Sequence, residues 1–118
     1  MRRGEIYVAD LEPVQGSEAN KRRPVVIVSN NASNEVVEEL GAGMVTVVPL
    51  TTNIERVYAF QVLFPALETG LERDCKAQAE QIRAVSTNRF AHDLGVVGEV
   101  PAVLMLEIDE ALRRHLML

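Results

Sequence analysis

The chain has no tryptophan, one cysteine and two histidines among its 118 residues, and its only other aromatic side chains are three Phe and two Tyr. Each scarcity excludes something. The lone Cys75 rules out an intrachain disulfide and a multi-cysteine zinc site, fits a reducing compartment, and reads as a buried apolar-type thiol and not a nucleophile. His92 falls in a turn and His115 on a terminal helix, so a paired-histidine acid–base mechanism has no footing. No apolar run approaches the ~18 residues that would span a bilayer, and Met1-Arg2-Arg3-Gly4-Glu5 leads into a strand with no signal-peptide core behind it. The expected location is therefore the cytoplasm, away from membranes. A Gly-rich phosphate loop, His-Glu-x-x-His and Gly-x-Ser-x-Gly are all missing. Cations are also in deficit, 12 Lys and Arg against 17 Asp and Glu, for a net charge of −5. That balance argues against whole-surface attraction to nucleic acid. A local basic groove stays open, because charges beyond roughly 8–10 Å are screened.

What is present is an ordinary globular composition, 47% hydrophobic and 25% charged, in a chain long enough for one domain over residues 1–118. Gly4 to Asp10 alternates, with Ile6 and Val8 on one face and Glu5 and Tyr7 on the other, as a half-buried strand does. Pro24 stands at the start of a second strand, and Val25 to Val28, apolar throughout, suits a central strand buried on both faces. Asn30 to Asn34 is rich in turn residues; Glu35 to Leu40 fits a helical turn or an irregular excursion equally. Met44 to Leu50 reads as a third strand and Tyr58 to Phe64 as a fourth. Glu68 to Asp74 reads as a charged loop, and Cys75 to Val85 as one or two strands. Ser86-Thr87-Asn88 reads as the N-cap of a short helical turn through Ala91, and Gly95 to Val100 as a short strand or an extended connection. From Pro101, as first helical residue, Leu104, Met105, Ile108, Leu112 and Leu116 recur at helical spacing. The fold class expected is mainly β (α+β): a small barrel or strongly bent sheet of five to seven short strands with a C-terminal amphipathic helix.

The densest positive charge is Lys21-Arg22-Arg23, where the polar loop Gly16 to Asn20 runs through Pro24 into the apolar strand. A loop tied to a rigid strand can hold a guanidinium against an anion. The same residues also read as a solvated cluster that protects an edge strand from association. Other polar groups fall at strand ends: Ser17 and Glu18 in the loop, Thr51 after Leu50, and Glu80-Gln81-x-Arg83 within a strand, with Gln81 and Arg83 on one face. On a small barrel, strand ends at one rim converge, so these could line a single groove; periodicity alone does not establish it.

Arg3-Gly4-Glu5-Ile6-Tyr7, Asp10-Leu11-x-Pro13, Gly16-Ser17-Glu18, Arg23-Pro24-Val25, Pro49-Leu50-Thr51-Thr52 and Glu80-Gln81-Ile82-Arg83 together resemble the MazF/PemK toxin family, in order and in register. The resemblance implies an SH3-like barrel that forms a homodimer and acts as a metal-independent endoribonuclease with no cofactor. The substrate implied is single-stranded RNA cut at a short sequence. Attack by the ribose 2′-OH would leave a 2′,3′-cyclic phosphate and a 5′-OH, and DNA lacks that nucleophile. The implied protein partner is a cognate antitoxin whose disordered acidic C-terminal segment occupies the RNA groove by mimicking phosphate charge.

Carried onto this sequence, the family's catalytic arginine falls on Arg23 and its threonine on Thr51. A guanidinium bonds two non-bridging phosphate oxygens while staying charged, so Arg23 suits charge stabilisation and proton donation to the leaving 5′-oxygen. Thr51 would donate to the same oxygens or orient the 2′-OH. Glu18 is the candidate base on chemical grounds. Arg22 stands where some members carry His and is expected to touch phosphate, as is Lys21. Gln81 suits a base edge and Arg83 a phosphate, while Ser17, Asn20 and Asn53 supply groups for reading unstacked bases. With so few aromatics, a broad stacking platform is not expected. The competing reading is a non-enzymatic gyrase poison resembling CcdB on the same fold. That group ends in Trp-Gly-Ile, whereas this chain ends His-Leu-Met-Leu.

Overall fold

The computed structural model describes residues 1–13, 15–18 and 22–118. Among these residues seven strands form one sheet: β1 (Glu5–Asp10), β2 (Arg22–Ile27), β3 (Met44–Thr51), β4 (Gln61–Phe64), β5 (Cys75–Gln78), β6 (Arg83–Ser86) and β7 (Gly98–Glu99). With them are the described helices α1 (Asn31–Leu40), α2 (Ala66–Thr69) and the C-terminal α3 (Ala102–Leu116), along with 3-10 turns at Ala79–Gln81 and Thr87–Arg89. The strands run β4-β5-β3-β2-β1-β7, β6 pairs with β3, and every pairing is antiparallel. The result is a curled half-barrel closed on one side by α3.

Period-two side-chain alternation in β2 and β3 loads both faces of the sheet. Val26, Val28, Val48 and Leu50 enter one core together with Leu104, Met105, Ile108 and Ala111 of α3. Val25, Ile27, Val45 and Val47 enter a second with Val85 and Phe90, flanked by Tyr7 and by Val37 of α1. Ile108 is fully buried, which by area stabilises the fold by about 1.5–3 kcal/mol.

One edge of β3 lies along β2, from Val25 opposite Pro49 to Ile27 opposite Val47. Its other edge is shared: Met44 to Val47 pair with β6, and Leu50 and Thr51 with β5. Pro49 falls in the gap. The Val28 N–H donates to the Thr46 carbonyl, so the backbone groups of Thr46, Val48 and Leu50 face β2 and those of Pro49 face the shared edge. Having no N–H to give there, Pro49 interrupts the ladder, and the 3-10 turn Ala79–Gln81 fits into the break.

Several elements differ from their sequence reading. Residues 31–40 form a helix, capped by Asn30, whose side chain accepts from the Ser33 N–H at 2.8 Å, and closed by Gly41 in the left-handed region at φ +77°. Its apolar signal is weak because Val36 and Leu40 point to solvent while the buried contact is Asn34. Asn34 is satisfied by Ser29 Oγ at 2.6 Å and the Ser29 carbonyl at 2.9 Å. β1 is covered on both faces, not one, because Tyr7 and Ala9 pack into the second core. β2 starts at Arg22, so Pro24 lies inside it. β4 is Gln61–Phe64, shorter than expected, and the supposed charged loop begins with α2. The segment 75–85 is two strands around a 3-10 turn, and only Gly98–Glu99 pair within 95–100. Pro101 caps α3 and does not open it, and Leu116 is exposed.

Arg3 proves to be architectural. Arg3 Nε donates to the Val28 carbonyl at 3.0 Å, its Nη2 pairs with Asp109 of α3, and its backbone N–H donates to Asn31 Oδ1 at 2.7 Å. This one residue ties the sheet to both longer helices. Gly98 is required by close approach, since a Cβ there would lie 2.7 Å from the Thr69 carbonyl oxygen.

Candidate active site

The β2–β3 register, continued two residues past Val25 and Pro49, sets Arg23 directly opposite Thr51 on one face of the sheet. Ala9 lies across from Arg23 on β1, and Lys76 across from Thr51 on β5. A single cross-strand row therefore reads Ala9, Arg23, Thr51, Lys76. Further along the same face the second core is roofed by Val85, Phe90 and α1. At this row the apolar side chains give way to polar ones, leaving Arg23 and Thr51 half-buried.

The adjacent proline explains how Arg23 is held. Pro24 faces β3 at the position where a backbone N–H would meet the Leu50 carbonyl, and it has none to offer. The Arg23 guanidinium reaches that carbonyl instead, Nη1 to O at 3.5 Å. The bond is long and weak, but it orients a charged fork beside the peptide that leads into Thr51. Thr51 Oγ1 in turn accepts from the Asn53 N–H at 3.3 Å. With a lone pair so engaged, the hydroxyl proton is directed elsewhere and is available to a ligand oxygen.

The loop after β1 spans this row. Gln81, beyond β3 from β2, donates from Nε2 to the Ser17 carbonyl at 3.1 Å, so the loop that leaves β1 and returns to β2 must reach over β3 to make it. Glu18 closes a turn within that loop, its Oε1 accepting from the Gln15 N–H at 3.0 Å. Its second carboxylate oxygen faces no donor among the described residues. Asn20 and Lys21 lie outside the described residues. Arg22 sits opposite Asp10, one position along from Arg23 and therefore on the other face. Arg83 opposes Val47 on the face of Arg23 and Thr51. Gln81 does not share a strand face with Arg83 as the spacing suggested, because it belongs to the 3-10 turn that Pro49 makes room for. Among the described residues neither the Arg22 nor the Arg83 side chain has a carboxylate partner.

Two features escaped the sequence reading. Lys76 is 8% exposed, and its Nζ donates to the Arg56 carbonyl at 2.6 Å, which ties the 52–60 loop down beside Thr51. A lysine inside a short apolar strand was the available signal. The second is a pocket of about 510 Å³ on the reverse face, walled by Val8, Pro24, Thr52, Leu71, Arg73 and Val97. Pro24 and Thr52 are the residues that follow Arg23 and Thr51, so the pocket stands directly behind the row. Cys75 lines it as well; burial pushes its thiol pKa up, and Asp74 adds to the shift, so it stays protonated at neutral pH. Among the described residues no group of three or more His, Cys, Asp or Glu could hold a metal ion.

Residues 2–116 match the family described as PemK-like, MazF-like toxin of type II toxin–antitoxin system. The chain belongs to that family. It is 54% identical over 116 residues to endoribonuclease MazF9 of Mycobacterium tuberculosis, covering 98% of this chain and 96% of that protein. It is also 34% identical over 113 residues to endoribonuclease MazF of Staphylococcus epidermidis, covering 95% and 88%. Among solved structures, an endoribonuclease in complex with its cognate antitoxin from a mycobacterial species superposes with a TM-score of 0.75 at 27% identity, covering 100% of this chain and 96% of that one. These relatives are endoribonucleases, and they give the gyrase-poison alternative no support. As in the sequence reading, no helix among the described residues is long and apolar enough to cross a membrane.

Proposed function

We propose that this endoribonuclease toxin cuts single-stranded RNA at a short sequence, without a metal ion, by attack of a ribose 2′-OH on the neighbouring phosphorus. The new P–O2′ bond closes a 2′,3′-cyclic phosphate, and the P–O5′ bond breaks to release a 5′-OH. The observation that carries the reading is the register that opposes Arg23 to Thr51, with the guanidinium tethered at the Leu50 carbonyl. Negative charge builds on the non-bridging oxygens of the phosphorane, and a guanidinium and a hydroxyl donor at one row stabilise that charge more than the ground state's. Arg23 is also the proton donor to the departing 5′-oxygen. Glu18, in the loop that spans the row, takes the 2′-OH proton. Arg22, Lys21 and Arg83 hold flanking phosphates, while Ser17, Asn20, Asn53 and Gln81 meet base edges.

The toxin is proposed to act in the cytoplasm as a homodimer, a use for apolar side chains such as Val103 and Leu106 on the outer face of α3; a monomer mass by light scattering would contradict the dimer. Its partner is an antitoxin whose acidic C-terminal segment lies across the Arg23 and Arg83 cations, which share one face of the sheet. The test is incubation of purified protein with a long single-stranded RNA in EDTA, followed by end-group analysis. Cyclic phosphate and 5′-OH ends are expected. Intact RNA, or cleavage only on adding metal, overturns the mechanism. Arg23→Ala and Thr51→Ala should each lower cleavage by orders of magnitude with little effect on folding.

A further inference from the structure

The 52–60 loop is built, not merely connecting. Thr51 Oγ1 caps the Asn53 N–H, Asn53 Oδ1 accepts from the Glu55 N–H at 3.4 Å, and Lys76 Nζ holds the Arg56 carbonyl. Tyr58 and Gln61 close the far end, with the Tyr58 N–H on Gln61 Oε1 at 3.1 Å and the Gln61 N–H on the Tyr58 carbonyl at 2.9 Å. Gln61 Nε2 then donates to Glu80 at 2.7 Å, next to the Gln81 that reaches Ser17. The loop is thereby bonded to both walls of the proposed cleavage row.

What it presents is a ladder of planar groups. The Tyr58 and Phe60 rings are stacked at 5.2 Å and within 3° of parallel, and the Arg56 guanidinium lies 4.9 Å from the Tyr58 centroid. Tyr58 is 43% exposed, far more than a tyrosine kept for core packing. Exposed rings and guanidinium planes are the surfaces on which proteins stack unpaired bases, with a sequence tolerance that hydrogen bonds lack. Position selects the occupant: Lys76 faces Thr51 across the sheet, so the ladder starts one lysine side chain and one hydrogen bond away from the row proposed to hold the scissile phosphate.

We propose that Arg56, Tyr58 and Phe60 form a stacking subsite for one unpaired nucleobase flanking the cut, and that Lys76 is the positioning residue that fixes this subsite relative to Thr51. The proposal rests on the Arg23–Thr51 reading of the cleavage row. It adds a base contact made by ring faces to the edge contacts expected of Asn53 and Gln81.

The test uses single-stranded RNA oligomers spanning the cut mapped with the wild-type protein. They carry a 2′-deoxy nucleotide on the 5′ side of the cut to block reaction, and 2-aminopurine at each position in turn. Because the chain has no tryptophan, the fluorescence of this base analogue reports its stacking without interference. One flanking position should be quenched on binding, and Tyr58→Ala should abolish that quench and weaken binding roughly 5- to 150-fold, the range for loss of one stacked base. Tyr58→Phe should restore both. On cleavable RNA, Tyr58→Ala should raise KM with kcat nearly unchanged, whereas Lys76→Met, which frees the loop next to Thr51, should lower kcat as well. Wild-type quenching and affinity in Tyr58→Ala overturn the proposal. So does a Tyr58→Ala protein that binds RNA normally but loses its dimer or its antitoxin, since the ladder is then a protein contact. If instead Arg23→Ala cleaves normally while the Tyr58-dependent quench persists, the row has been misread and the subsite stands.

Discussion

Replacing Pro24 with alanine isolates the least familiar part of this account, the idea that a missing N–H positions the reacting arginine. In Pro24→Ala a backbone donor appears opposite the Leu50 carbonyl and extends the β2–β3 ladder by one bond. That bond is worth about 0.5–1.5 kcal/mol. It is offset by about 0.4–1 kcal/mol as the unfolded chain regains the freedom proline denies it. Stability by urea denaturation should therefore change by less than about 1 kcal/mol. The carbonyl, once it accepts that N–H, competes for Arg23 Nη1, now 3.5 Å away, and weakens this one contact of the guanidinium. Restoring that contact on binding costs up to about 0.5–1.5 kcal/mol, so single-turnover cleavage at saturating RNA should slow by up to roughly two- to thirteen-fold. A folded Pro24→Ala protein cleaving at the wild-type rate would refute the reasoning. So would a loss of several kcal/mol of stability, which would mean that Pro24 serves packing and not the arginine.

Other outcomes follow from the same structure. Tyr7 has its phenol pKa pushed up to about 12 by burial and then by the neighbouring Glu5 carboxylate. The protonated ring is thus favoured in the fold, and its contribution is intact below about pH 10, the unfolded value, and is lost as pH climbs toward 12. Tyr7→Phe should flatten that alkaline part of the stability–pH curve, and an unchanged curve would contradict it. Binding of the antitoxin's acidic segment should weaken as salt rises from 50 to 500 mM, which shortens the Debye length roughly threefold; calorimetry showing a salt-independent affinity would remove charge mimicry from the account. Gly98→Ala should destabilise by about 1–3 kcal/mol through overpacking, because its Cβ meets the Thr69 carbonyl; a neutral thermal melt would show that β7 moves aside freely.

The fold was legible where side-chain period decides it. Val25 to Val28 announced a strand buried on both faces, and Leu104, Met105 and Ile108 announced the helix that covers one of them. It was illegible where polar contacts decide: α1 turns Val36 and Leu40 outward and buries an asparagine held by Ser29, a pattern that no apolar count detects. Much of the candidate site could be named from motif resemblance, but its convergence could not. Arg23 and Thr51 face each other because the β2–β3 pairing sums to one register, a property of two strands together. Gln81 reads as a strand residue from its own segment, whereas the break that it occupies is dictated by Pro49, on a different one. Tyr58 and Phe60 read as alternate residues of a strand, and only the loop's own hydrogen bonds turn them into a stack.

The central claim is that the row of Arg23 and Thr51 acts on a phosphate whose own ribose supplies the nucleophile. The most direct measurement is single-turnover cleavage of an RNA oligomer carrying one 2′-deoxy nucleotide immediately 5′ to the mapped cut, beside its all-ribose twin. Cleavage of the twin to a cyclic phosphate and no detectable cleavage of the deoxy oligomer is the expected result. A deoxy oligomer cut at the same bond would mean that water or a protein group attacks phosphorus, and the mechanism built on this site would fall.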